Sequence, residues 1–92
     1  MMHTYGITSE DVKRNNRFDI TLFKQAVIDA VPVGTKLEPT KLTRLALSLG
    51  AKAKKDDLAK KLKAAFMNNN NSQLVRRRSD QGNGYVYEKV SN

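Results

Sequence analysis

The 92-residue chain contains no cysteine, no tryptophan, one histidine and two prolines. Without cysteine it has neither a disulfide framework nor a thiolate metal site. His3 has no second histidine beside it, so the imidazole ligand sets of zinc enzymes are excluded too. Runs of about 18 consecutive apolar residues, which a membrane-spanning helix needs, do not occur. The opening MMHTYGITSE carries no basic n-region and no apolar core of signal-peptide length. These absences lead us to expect a soluble chain with no membrane partner, cytoplasmic, and nucleoid-associated in a bacterial or phage setting or nuclear in a eukaryotic one.

Catalytic patterns are equally scarce. The nine acidic residues are scattered without ligand-like spacing, and Gly34-Thr35-Lys36 lacks the upstream glycine of a phosphate loop and reverses its lysine–threonine order. Gly82-Asn83-Gly84 reads as a turn. No enzymatic activity, metal or cofactor is expected.

What the sequence does have is positive charge, unevenly placed. Residues 1–31 carry four basic and four acidic side chains. Residues 32–92 carry thirteen basic against five acidic, and so hold the whole net charge of +8. A neutral scaffold followed by a cationic surface suits a polyanionic partner, although a basic face also serves solubility.

Hydrophobic periodicity divides the chain into a polar segment, 1–17, and one domain, 18–92, large enough for a modest core. In the first segment Thr8 or Ser9 can cap a short helix through Glu10, Asp11 and Val12; otherwise this stretch is an arm. Residues 18–31 place Ile20, Phe23, Val27 and Val31 at helical spacing, with Asp19 as N-cap and Pro32 as the stop. A short extended piece at Thr35 to Leu37 precedes Pro39, which opens a second helix where its missing N–H costs nothing. There Leu42, Leu45, Ala46 and Leu49 form the apolar stripe, Lys41, Arg44 and Ser48 lie opposite, and Gly50 ends the helix. A third helix, KDDLAKKLKAAFM, buries Leu58, Leu62, Ala65 and Phe66. The asparagine-rich run 68–72 suits a flexible connector. Leu74 to Val90 then alternates about a DQGNG turn as a two-stranded hairpin, with apolar residues in both phases, so the buried face of each strand is left open.

This order of helix, short strand, helix, turn, helix and hairpin resembles the winged helix-turn-helix family over roughly residues 18–90. Ala46 followed four positions later by Gly50 matches the small residue and the turn glycine of that motif, and Leu42, Leu45 and Leu58 match its core positions. The resemblance implies an α+β fold of three helices with a small antiparallel sheet and a C-terminal hairpin wing. It also implies that the third helix enters the major groove of duplex DNA while the wing meets the backbone. Leu58 lies eight residues beyond Gly50, so either the turn is long or the third helix begins early. Asp56 and Asp57 complement the dipole at the helix start, yet carry the wrong sign for phosphate.

The candidate nucleic-acid-binding residues are Lys41 and Arg44 in the second helix, Lys52, Lys54, Lys55, Lys60, Lys61 and Lys63 around the third, and Arg76, Arg77 and Arg78 in the hairpin. Each Lys or Arg that replaces a condensed counterion on a phosphate backbone gains the entropy of its release. Successive strand residues face opposite ways, so the three arginines cannot all serve one phosphate row. One of them is expected to pack its stem on the sheet and bridge to Asp80 or Glu88. Tyr85 and Tyr87 fit a base-stacking platform or, more simply, the aromatic core of a small sheet. Two functions of different class follow. One is a small transcriptional or phage-type regulator that binds duplex DNA, with RNA as a variant. The other is an interaction protein docking on an acidic partner or on the transcription machinery. Leu47 fits a dimer surface or a place under the wing, and the oligomeric state, monomer or homodimer, stays open.

Overall fold

Asp19 begins the helical part of the molecule as its sequence position suggests: its carboxylate accepts from the Leu22 N–H at 2.9 Å, satisfying one of the amides that a helix start leaves free. The computed structural model describes residues 5–67, 73–79 and 84–91. The asparagine run, His3 and most of the DQGNG turn, Asp80 included, lie outside the described residues. Among the described residues, three helices, α1 (Ile20–Ala30), α2 (Pro39–Ser48) and α3 (Lys55–Met67), are accompanied by five short strands: β1 (Lys13–Arg14), β2 (Arg17–Phe18), β3 (Lys36–Leu37), β4 (Leu74–Arg78) and β5 (Tyr85–Lys89). The result is an α+β fold.

Residues 7–18 of the N-terminal part are structured. Ser9–Val12 form a single 3-10 turn, in which Asp11 accepts from both the N–H and the Oγ1 of Thr8. β1 and β2 then pair antiparallel, Arg14 opposite Arg17. Asn15 and Asn16 between them both have positive φ, 52° and 61°. Two left-handed residues in a two-residue loop match the right-handed twist of the strands they join, and asparagine tolerates that conformation better than most side chains.

β5 is the middle strand of a three-stranded antiparallel sheet in the order β3-β5-β4. Its register sets Leu37 and Arg76 on either side of Tyr87, and Arg78 opposite Tyr85. Leu74, Tyr87 and Lys89 are buried on the face that meets the helices, and Val86 is buried on the other face. The phase that the sequence left ambiguous is thus decided by which face the helices cover.

One core joins all of this. Val12 from the N-terminal turn, Phe23, Val27 and Ile28 from α1, Leu42, Leu45 and Ala46 from α2, and Leu58, Leu62 and Phe66 from α3 are buried together with Leu37 and Tyr87. Its aromatic members form a chain of ring contacts: Phe18 on Phe23 at 5.5 Å, Phe23 on Phe66 at 6.3 Å, Phe66 on Tyr87 at 5.5 Å and Tyr87 on Tyr85 at 5.5 Å. Burying a large apolar side chain contributes about 1.5–3 kcal/mol, so these few rings carry much of a small core.

α2 ends in a glycine motif. Gly50 has φ 107°, its N–H donates to Leu47 O, and the next N–H, that of Ala51, reaches back to Ala46 O at 3.0 Å. Six residues separate Ser48 from Lys55. The connection is therefore long, which accounts for the distance from Gly50 to Leu58. A charged side chain, Lys89, closes the opposite end of the core: its ammonium donates to the carbonyls of Ile28 at 2.6 Å and Val31 at 2.8 Å, at the C-terminus of α1.

Candidate nucleic-acid interface

The face of α3 turned away from the core is polar. Leu58, Leu62 and Phe66 point inward, which leaves Lys60, Lys61, Lys63, Asp56 and Asp57 exposed. Helical geometry spreads these over two flanks about an outward crest. Lys63 and Asp56 lie on the flank toward β5, and Lys61 lies on the flank toward the β1–β2 hairpin. A cleft borders α3 on each side.

The first cleft, of about 250 Å³, lies between the start of α2, α3 and the sheet, and Lys55, Lys60, Lys63, Asp56, Tyr85 and Tyr87 are among its walls. The Tyr85 ring is its organising feature. Lys63 Nζ sits 5.7 Å from the ring centroid and the Arg76 guanidinium 5.1 Å from it. The negative face of an aromatic ring attracts cations, so Tyr85 holds together two positive groups that would otherwise repel, one from α3 and one from β4. Tyr87, behind it, is core. Its hydroxyl is buried and has no hydrogen-bond partner among the described residues. Burial above all, and then the neighbouring Tyr85 side chain, push the Tyr87 phenol well above its ordinary value, against a smaller opposing effect of Arg76. Tyr85 is thus near enough to act on it, but the two do not meet in hydrogen-bonding geometry.

The three arginines separate by strand alternation. Arg76 and Arg78 share the face of β4 that carries Tyr85 and Tyr87 across the ladder. Arg77 lies on the other face and forms the bridge to Glu88 at 3.4 Å. Lys41 is paired with Glu38 at 3.5 Å on the first turn of α2. Arg44, Lys54 and Arg78 are exposed and border neither cleft.

The second cleft was not legible in the sequence. It measures about 660 Å³, opens between the β1–β2 hairpin and the α2–α3 connection, and has Lys13, Arg17, Lys52 and Lys61 in its walls. The structure thus brings Lys52 and Lys61 together with two cations from the N-terminal segment, and sets Lys55, Lys60, Lys63 and Arg76 on the opposite flank of α3. The neutral charge sum of residues 1–31 concealed this, because none of their described acids lines the cleft, although Glu10 reaches Lys13 from outside it. The Asn15-Asn16 pair was the only signal for the hairpin, and it lacks the alternating apolar flanks that make such a signal strong.

Among the described residues, no group of three or more His, Asp or Glu side chains stands where it could hold a metal ion, and no helix is long and apolar enough to cross a membrane. Comparison with family models, with curated proteins and with solved structures finds no match to this chain.

Proposed function

We propose that the protein is a non-enzymatic duplex DNA-binding module of the winged-helix kind, a small regulator whose α3 enters the major groove while the β4–β5 hairpin lies on the backbone. The observation that carries this reading is the Lys63–Tyr85–Arg76 stack, which ties the cations of α3 and of the hairpin into one surface. The strand order β3-β5-β4 and the long α2–α3 connection are compatible with that architecture. A second reading, an interaction protein that docks on another chain, draws on the exposed Asp56 and Asp57 at the start of α3, which would repel phosphate.

The two readings separate in one experiment. Fluorescence anisotropy of the full chain with random duplex, single-stranded DNA and duplex RNA should show duplex DNA bound at the lowest concentration. Arg76→Ala should weaken binding to all sequences alike, by about tenfold, through loss of a backbone contact. Arg77→Ala should change it far less, because that guanidinium is engaged with Glu88 on the outer face. Equal affinities for wild type and Arg76→Ala, or no duplex binding at all, would hand the surface to a protein partner.

A further inference from the structure

An α-helix that occupies a major groove, about 12 Å wide, has a sugar–phosphate strand on each side of it. The β4–β5 hairpin can meet only one of these. We infer that the second cleft, between the β1–β2 hairpin and the α2–α3 connection, is a phosphodiester-binding site for the other strand, so that the protein grips the backbone on both flanks of α3. This rests on the proposed DNA-binding reading and adds to it a contact surface from a part of the chain that carries no net charge.

Four observations carry the inference. The cleft draws its cations from three separate elements, Lys13 and Arg17 from the hairpin, Lys52 from the connection and Lys61 from α3, and among the described residues no carboxylate lines it. Among the described residues, Arg17, Lys52 and Lys61 are in no ion pair. The nearby acids are turned to other work: Asp19 caps α1 and holds Arg14 at 3.6 Å, and Glu10 reaches Lys13 at 3.6 Å from an 82% exposed position. Lastly, the hairpin is anchored. Phe18 stacks on Phe23, Val12 is fully buried, and the Asp19 N–H donates to Val12 O at 2.7 Å across the base of the hairpin. Lys13 is already answered by Glu10, but Arg17, Lys52 and Lys61 bring three uncompensated like charges to the rim of one cleft, a repulsion that an entering anion relieves. A phosphodiester fits better than a lone carboxylate, since it repeats its charge along the chain and each contact releases a counterion.

The test uses the full chain and a random duplex of about two helical turns, titrated between about 50 and 200 mM salt. Arg17→Ala/Lys52→Ala should lower affinity about tenfold and flatten the plot of log K against log salt by about two units. Lys52→Ala/Lys61→Ala, which leaves the hairpin intact, should do the same, and this guards against misfolding of the first variant. Wild-type binding with an unchanged slope in both variants overturns the second backbone contact and leaves the proposed function standing. Failure of the wild type to bind duplex overturns both. A free phosphate compound is the other source of the same chemistry. Saturable binding of pyrophosphate that these variants lose, with duplex binding unaltered, would also overturn the assignment.

Discussion

Tyr87 is a phenol used as though it were phenylalanine. It is 2% exposed, it packs between the rings of Phe66 and Tyr85, and its hydroxyl is buried without a partner among the described residues. Such a hydroxyl costs about 1–3 kcal/mol of lost hydration. Tyr87→Phe should therefore be neutral or stabilising by about 1 kcal/mol at neutral pH in urea denaturation, and a loss of that size would mean the hydroxyl is hydrated or bonded. The same group makes stability fall in alkali. The native phenol keeps its proton while the unfolded one, with an ordinary value of 10.0, gives it up. The contribution is complete below about pH 10 and is lost as the pH climbs above it. Tyr87→Phe should abolish that part of the alkaline decline, which denaturation curves on either side of pH 10 measure directly.

At the scale of elements, Lys89 joins the sheet to α1. The last carbonyls of a helix lack intrahelical donors, and the negative end of its dipole favours a cation. β5 supplies that cation from within the core, at 4% exposure. Its backbone completes the arrangement, because Lys89 N donates to Thr35 O and Gly34 N donates to Lys89 O, tying the segment before β3 to the same point. Lys89→Met keeps much of the volume but leaves the Ile28 and Val31 carbonyls without their donor. It should cost about 2–4 kcal/mol, since hydrogen bonds from a charged group are worth about 1.5–3 kcal/mol each and a buried acceptor left alone adds its own penalty. A change below about 0.5 kcal/mol, the range of ordinary surface substitutions, would show that water replaces the ammonium. The element is a structural clamp, and Lys89→Met should leave the proposed duplex binding of the folded variant unaffected.

For the molecule as a whole, eight of the seventeen Lys and Arg side chains stand on the two flanks of α3. Lys55, Lys60, Lys63 and Arg76 stand on one flank, and Lys13, Arg17, Lys52 and Lys61 on the other. If about five of these meet phosphates, log K for duplex DNA should fall with log salt at a slope of roughly −4 to −5. An affinity that holds steady across the same salt range would point to a packed, largely apolar contact instead. Exposed Leu47, Val33 and Val75 are then the residues to examine.

The sequence alone determined the three helices nearly to the residue, because local chemistry marks their ends: Asp19 before α1, Pro39 at the first position of α2, Gly50 after it, and an apolar face at 3.6-residue spacing within each. It also determined the C-terminal hairpin and the excess of cations beyond residue 31. The tertiary structure decided what depends on distant partners. Tyr87 is buried because its face of β5 meets the helices, and Val86, on the opposite face of this central strand, is buried too, which alternation within one strand cannot reveal. Lys89 is buried because the end of α1, some sixty positions earlier, offers it carbonyls. Which of the three arginines meets Glu88 is set by the β4–β5 register, which brings that carboxylate to Arg77. The second cleft is the clearest case: Arg17 and Lys61 are far apart in sequence and unremarkable in pattern, and tertiary packing, Phe18 on Phe23 with Val12 buried beneath, carries the N-terminal hairpin to the flank of α3. Helix ends are fixed by neighbours a few residues away, whereas a charged cleft is fixed by the summed packing of the core, and periodicity contains no record of that sum.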